Sequence, residues 1–151
     1  MNNIFVYCEI TEEGLIADVS LELISKARKL ANDLSCQLEA IVIGSNIENL
    51  EATLYPYGVD IINYANDERL FPYQTLPHFS IVTKLLKEKE AQICLFGATS
   101  VGRDLAPRIS SLVSGSNSNS LVEISSILTP LLPTFLSSAL IISDAILLQI
   151  I

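Results

Sequence analysis

The sequence predicts an α/β fold: an open, mostly parallel twisted sheet with helices on both faces. Two observations carry that expectation. Over the first hundred residues, short apolar runs alternate with stretches of helical periodicity, the pattern of strands joined by crossover helices. The apolar runs are also short and bounded by turn residues, as strands buried inside a sheet are.

Each element can be placed in order. Residues 3–9 read as a buried strand and Thr11-Glu12-Glu13-Gly14 as a turn. Leu23, Ile24, Ala27, Leu30, Ala31 and Leu34 recur at three- and four-residue spacing, opposite Glu22, Lys26, Lys29 and Asp33, which predicts an amphipathic helix capped by Asp18 or Ser20. Residues 37–43 form a second strand ended by Gly44, 47–54 a short helix stopped by Gly58, and 59–64 a third strand. A polar loop over 65–72 leads into a helix over 76–90, with Ile81, Val82, Leu85 and Leu86 inward and Lys84–Glu88 as an exposed pair. Residues 92–96 are the fourth strand, ended by Gly97. Right-handed crossovers between such strands give a Rossmann-like three-layer sandwich, whose ligands bind outside the carboxyl ends of the strands.

Composition narrows the function. A formal net charge of −8 with nine scattered basic residues argues against nucleic acid and anionic membranes as partners. The opening residues lack the basic leader and cleavage site of a secretory signal and the Arg- and Ser-rich bias of a transit peptide, so a cytoplasmic location is expected. Cys8, Cys36 and Cys94 lie in or beside strand candidates without metal-knuckle or redox spacing and read as buried thiols. His78 has no cluster of acids or cysteines near it in sequence and reads as a surface residue at a helix start. One His and scattered acids assemble no catalytic constellation, so an enzyme is not expected.

The loop after the fourth strand carries the strongest signal: Gly97-Ala98-Thr99-Ser100-Val101-Gly102-Arg103-Asp104-Leu105-Ala106-Pro107-Arg108. Pro107 belongs in a first helical turn, which starts the helix near Asp104 as its cap and lets Arg108 pair with that carboxylate. Thr99, Ser100, Gly102 and Arg103 then stand ahead of the helix as a candidate cradle for an anion or nucleotide. An ordinary glycine turn whose arginine pairs with a neighbouring carboxylate is the competing reading, and the spacing leaves both open. The pattern is neither a Walker loop nor a dinucleotide fingerprint.

This string resembles the signature of the first domain of the electron-transfer flavoprotein alpha subunit, G-A-T-x-x-G-R-D-L-A-P-R. Three further segments are similar in order and spacing: Ile4-Phe5-Val6-Tyr7-Cys8-Glu9, the helix beginning Ser20-Leu21-Glu22-Leu23, and Tyr57-Gly58-Val59-Asp60. The resemblance covers about residues 3–111 and implies an adenine-nucleotide alpha-hydrolase-like sandwich. It further implies a heterodimer with a beta subunit, carrying electrons from flavin dehydrogenases. In that family FAD sits mainly in the alpha subunit's second domain, whose flavin motif is absent here, so no cofactor is expected on this chain alone. Nucleotide contacts at Thr99, Ser100, Gly102 and Arg103 would follow only by analogy with the beta subunit's loop. The alternative is a free-standing nucleotide-binding module similar to the universal stress proteins; their phosphate loop ends in a Gly-Ser pair that is missing at the matching interval after Gly102.

After Ile109 the composition changes. The 43 residues 109–151 hold no Lys or Arg, only Glu123 and Asp144 as charges, seventeen Leu plus Ile, and eleven Ser. A domain over 1–114 is therefore expected, followed by an atypical tail over 115–151. Three readings of the tail stand, in order of preference: a shifted reading frame or degenerate end, apolar strands at 122–124 and 145–151 completing the sheet, and a membrane anchor over 127–142. Pro130, Pro133, Asp144 and the missing basic flank weigh against the anchor.

A tail this apolar is an aggregation hazard unless it packs onto the sheet or a partner. Shortening the chain to residues 1–114 should raise its soluble yield on expression; equal yields of the two forms would contradict this.

Overall fold

A computed structural model describes residues 3–47, 49–91, 93–113, 121–125 and 140–141. Its strands are β1 (Ile4–Cys8), β2 (Leu38–Gly44), β3 (Ile61–Asn66), β4 (Ile93–Gly97), β5 (Leu121–Ser125) and β6 (Leu140–Ile141). They lie in the order β3-β2-β1-β4-β5-β6. The first five are parallel, and β6 runs antiparallel beside β5. The expected strand at 122–124 thus falls within β5, whereas that at 145–151 lies outside the described residues, as does nearly all of the candidate anchor at 127–142. No helix among the described residues is long and apolar enough to cross a membrane.

The pleat sorts β1 onto two cores. Ile4, Val6 and Cys8 face helix α1 (Asp18–Asp33), packing with Leu23, Ile24, Ala27 and Ala31. Phe5 and Tyr7 face the opposite way, with Cys94 and Phe96 of β4. There they meet Val82 and Leu86 of α3 (Thr75–Glu88), and Leu105, Ala106 and Ile109 of α4 (Ser100–Val113). A central strand buried on both sides favours apolar residues throughout, which is why β1 and β2 show no polar alternation, Glu39 being the one charged exception in β2.

Several element ends differ from expectation. Helix α1 takes Ala17 as its N-cap with no side-chain cap bond. Asp18 is its first residue, and the Ser20 hydroxyl instead accepts the Glu9 N–H at 2.8 Å. The short helix α2 spans only Glu51–Leu54 before tightening into a 3-10 turn at Tyr55–Tyr57, where Pro56 fits because an early-turn N–H needs no partner. Gly58 then turns left-handed at φ 84°, its carbonyl accepting from Arg28 Nη1 at 2.9 Å. Arg28 Nη1 also bridges to Asp60 at 2.7 Å, and that carboxylate accepts the Leu38 N–H at 2.8 Å, tying α1, β2 and β3 together. The loop at 65–72 is partly structured: β3 runs on to Asn66, and a 3-10 turn at Glu68–Leu70, capped by Asp67, buries Leu70. The Lys84–Glu88 pair is present at 3.8 Å on the exposed face of α3.

At the amino-terminal rim of the sheet stands a buried carboxylate. Glu39, 1% exposed, accepts from Asn3 Nδ2 at 2.7 Å, Asn63 Nδ2 at 2.8 Å and Lys89 Nζ at 2.9 Å. Burial raises its carboxyl pKa, but the three donors and the Lys89 charge outweigh that, and the pKa falls below the ordinary 4.5. Because the folded value is the lower one, the stability Glu39 contributes is complete above pH 4.5 and is lost as pH falls through the folded value. Replacing Glu39 with Ala leaves three part-buried donors without their acceptor and should cost about 1–3 kcal/mol at neutral pH. In urea melts the gap between Glu39→Ala and the parent should narrow below pH 4.5; a gap that widens there would refute this account.

Candidate functional site

Successive strands run outward from β1 to β2 and β3, and the chain then crosses back to place β4 on the other flank of β1. The loops after β1 and β4 therefore flank the topological switch point, the position where open parallel sheets hold ligands. The β1 loop folds on itself through an antiparallel bridge between Ile10 and Ile16 and a turn from Thr11 to Leu15, leaving Leu15 60% exposed at its tip. The backbone of Glu9 is pinned at both ends: its N–H by Ser20, and its carbonyl by the Ala17 N–H at 2.9 Å. Its side chain reaches across the crevice, where Oε1 accepts from the Thr99 hydroxyl at 2.6 Å.

Helix α4 begins at Ser100, four residues earlier than the sequence suggests. Thr99 is its cap: the hydroxyl accepts the Gly102 N–H at 3.0 Å, and the Thr99 carbonyl accepts the Arg103 N–H at 3.0 Å. The helix can start here because Gly102 lies against the end of β4; a Cβ at that position would collide with the Gly97 carbonyl. Pro107 is accordingly inside the helix, at a cost of about 3 kcal/mol offset by burial of Leu105, Ala106 and Ile109 on either side. Asp104 is not the cap but a brace. Its carboxylate accepts from Tyr73 at 2.9 Å, Thr75 at 2.6 Å and Arg108 Nε at 2.9 Å, fastening the start of α3 to α4. Those bonds, Thr75 foremost, hold its carboxyl below the usual range. The expected Asp104–Arg108 pair is present.

Of the four candidate cradle residues, Thr99 is spent as the cap, while Ser100, Gly102 and Arg103 form the first turn itself. The Gly102 N–H is already taken. Ser100 and Arg103 are exposed, and the Arg103 guanidinium has no partner among the described residues.

Beside this turn lies a solvent-open cleft walled by Tyr7, Ile43, Phe71, Tyr73 and Val101 with Glu9 at its edge. His78 borders it and corrects the sequence reading. It is 3% exposed, not a surface residue, because 78, 82 and 86 share one face of α3. Its Nε2 lies 2.9 Å from the Leu70 carbonyl, which can only accept, so Nε2 carries the proton and Nδ1 accepts from the Tyr7 hydroxyl at 2.7 Å. Burial lowers the His78 pKa and keeps the ring neutral. With both nitrogens occupied it is not free to act as a base. Among the described residues no group of three or more His, Cys, Asp or Glu could hold a metal ion.

Sequence reasoning missed Glu9, Tyr7 and His78. The spacing of His78 to Val82 and Leu86 was a usable signal for His78. Nothing in the order of residues links Glu9 to Thr99, which lie ninety positions apart.

The chain matches the model of the electron transfer flavoprotein domain over residues 4–126. It is 37% identical over 109 residues to the electron transfer flavoprotein subunit alpha of Thermoanaerobacterium thermosaccharolyticum, covering 72% of this chain and 33% of that one. It is 33% identical over 111 residues to the subunit of the same name from Clostridium acetobutylicum, covering 74% and 33%. A third relative, 34% identical over 106 residues (70% and 29%), is the acryloyl-CoA reductase electron transfer subunit beta of Anaerotignum propionicum. The chain spans about a third of the length of these curated relatives. A solved universal stress protein in complex with cAMP aligns at 16% identity and a TM-score of 0.47, over 82% of this chain and 94% of that one, a likeness too slight to carry an argument.

Helix propensity alone makes Gly102→Ala stabilising by about 1 kcal/mol. The contact with Gly97 reverses the sign, and denaturant melts should show a loss of about 1–3 kcal/mol. A stabilised Gly102→Ala protein would show that α4 does not approach β4 as described.

Proposed function

The chain belongs to the electron transfer flavoprotein family, and from that premise we propose that it is the N-terminal α/β domain of an alpha subunit. In this reading it is the scaffold and partner-binding part of a heterodimeric electron carrier served by flavin dehydrogenases. The observation that carries the reading is the family match over residues 4–126, joined to alpha-named relatives of which the chain spans a third.

The FAD of such a carrier belongs, in this proposal, to the rest of the subunit. The rim of this chain does not fit a flavin pyrophosphate. The Glu9 carboxylate edges the crevice, the Gly102 N–H is already taken by Thr99, and Arg103 is exposed to solvent with no partner among the described residues. Thr99 and Gly102 then serve to set the turn. Ser100 and Arg103 are the groups able to take an acidic side chain presented by a beta subunit across the rim. The rival reading, a free-standing nucleotide-binding module, gains nothing from a crevice edged by a carboxylate. Carriage of electrons asks no acid–base chemistry of this domain, which agrees with a His78 whose two nitrogens are both engaged.

Co-expression with a beta subunit of the family should give a 1:1 complex on size exclusion. The chain by itself should purify without flavin absorbance, and Arg103→Glu should slow association by roughly tenfold at low salt. Micromolar FAD binding by the isolated chain, or failure to associate with any beta subunit tested, would overturn the assignment.

A further inference from the structure

We infer that the Glu9 carboxylate is a built-in occupant of the crevice between β1 and β4, lodged where a bound anion would sit and closing that crevice to phosphorylated ligands. The inference stands on the rim's geometry and holds whether or not the chain serves an electron carrier.

Four observations support it. The Thr99 hydroxyl is committed at both ends, donating to Glu9 Oε1 at 2.6 Å while accepting from the Gly102 N–H at 3.0 Å. A first-turn donor of α4 is thereby relayed onto the carboxylate, the arrangement an exogenous anion would otherwise complete. The space is also taken. A Cβ added at Gly97 would stand 3.1 Å from Glu9 Oε1 and 3.2 Å from Val19 Cγ2, so the carboxylate leaves little room beside the strand end. Nor can the side chain leave by a simple loop swing, because the Glu9 backbone is held by Ser20 on one side and Ala17 on the other.

The fourth observation is electrostatic. The titratable groups near Glu9 are Tyr7 and Cys8 at the end of β1, which leads into it, and Tyr73 and His78, which line the same cleft. Tyr7, Cys8 and Tyr73 have raised pKa values, chiefly through burial, and His78 has a lowered one, so all four are uncharged near neutrality. None of these four is a cation; the one unpartnered guanidinium of the α4 turn, Arg103, is exposed to solvent. Burial raises the Glu9 carboxyl above its ordinary 4.5, with the Thr99 bond pulling the other way. A phosphate entering the crevice would meet like charge at close range.

The test uses the full chain and inorganic phosphate or AMP, followed by amide shifts of residues 99–103. Glu9→Ala removes the charge, clears the side chain from the crevice and releases the Thr99 hydroxyl to a bound anion. It should bind phosphate at the α4 turn at least roughly tenfold more tightly than the parent. AMP distinguishes a bare phosphate site from a nucleotide site; a gain for either ligand supports the inference. Equal binding by parent and variant overturns it, and so does binding by neither. The parent offers a second readout independent of any variant's folding. As Glu9 takes up a proton, the Thr99 and Gly102 amides should shift together with a midpoint above 4.5. Independent midpoints, or one at or below 4.5, would overturn the lodged-carboxylate geometry.

Discussion

The contact between the backbone of Gly97 and the bare Cα of Gly102 sets the position of much that surrounds it. With no side chain between them, α4 starts directly off the end of β4. That start places Thr99 over Glu9 and Asp104 under Tyr73 and Thr75. Asp104 in turn fixes the beginning of α3, and α3 carries His78 in to the Tyr7 hydroxyl on β1. A steric allowance at one residue is thus transmitted through two hydrogen-bonded steps, Asp104 to the start of α3 and His78 to Tyr7, to the central strand. Such chains of packed, bonded groups have few alternative arrangements, because interiors at crystal-like density do not deform continuously.

The two ends of the sheet treat their carboxylates differently. At the amino-terminal rim Glu39 has three donors, one of them cationic, and its charge is favoured. At the carboxyl rim Glu9 has one hydroxyl, and its charge is disfavoured. The first arrangement knits β1, β2 and β3 to the end of α3. The second leaves a group poised beside the place where parallel sheets bind ligands, the difference expected between a structural anchor and a rim residue.

Much of the fold could be read in the sequence, because buried parallel strands and amphipathic helices announce themselves by periodicity. The inward faces of α1 and α3 emerged from three- and four-residue spacing alone. Helix ends were harder. Both α1 and α3 close with a non-glycine residue in the left-handed region, Ser35 at φ 52° and Glu90 at φ 50°, so the usual glycine stop signal is missing. Pro107 misdirected the start of α4, since its place inside the helix depends on packing that no local rule reports. The candidate turn at Thr99, Ser100, Gly102 and Arg103 was found from its glycines and its arginine. Its partner Glu9 was not, because their contact exists only after β1 and β4 pair.

That pairing has a consequence for biosynthesis. Strand β1 aligns Ile4 with Leu38 on one side and with Ile93 on the other. On a ribosome the β1–β2 edge can form early, but the opposite edge of β1 waits until β4 has been translated. At ordinary elongation rates that interval is on the order of three to ten seconds. Throughout it Phe5 and Tyr7 lack the β4 and α4 side chains that will cover them, so the nascent domain exposes an apolar strand edge that a trigger-type chaperone is suited to shield.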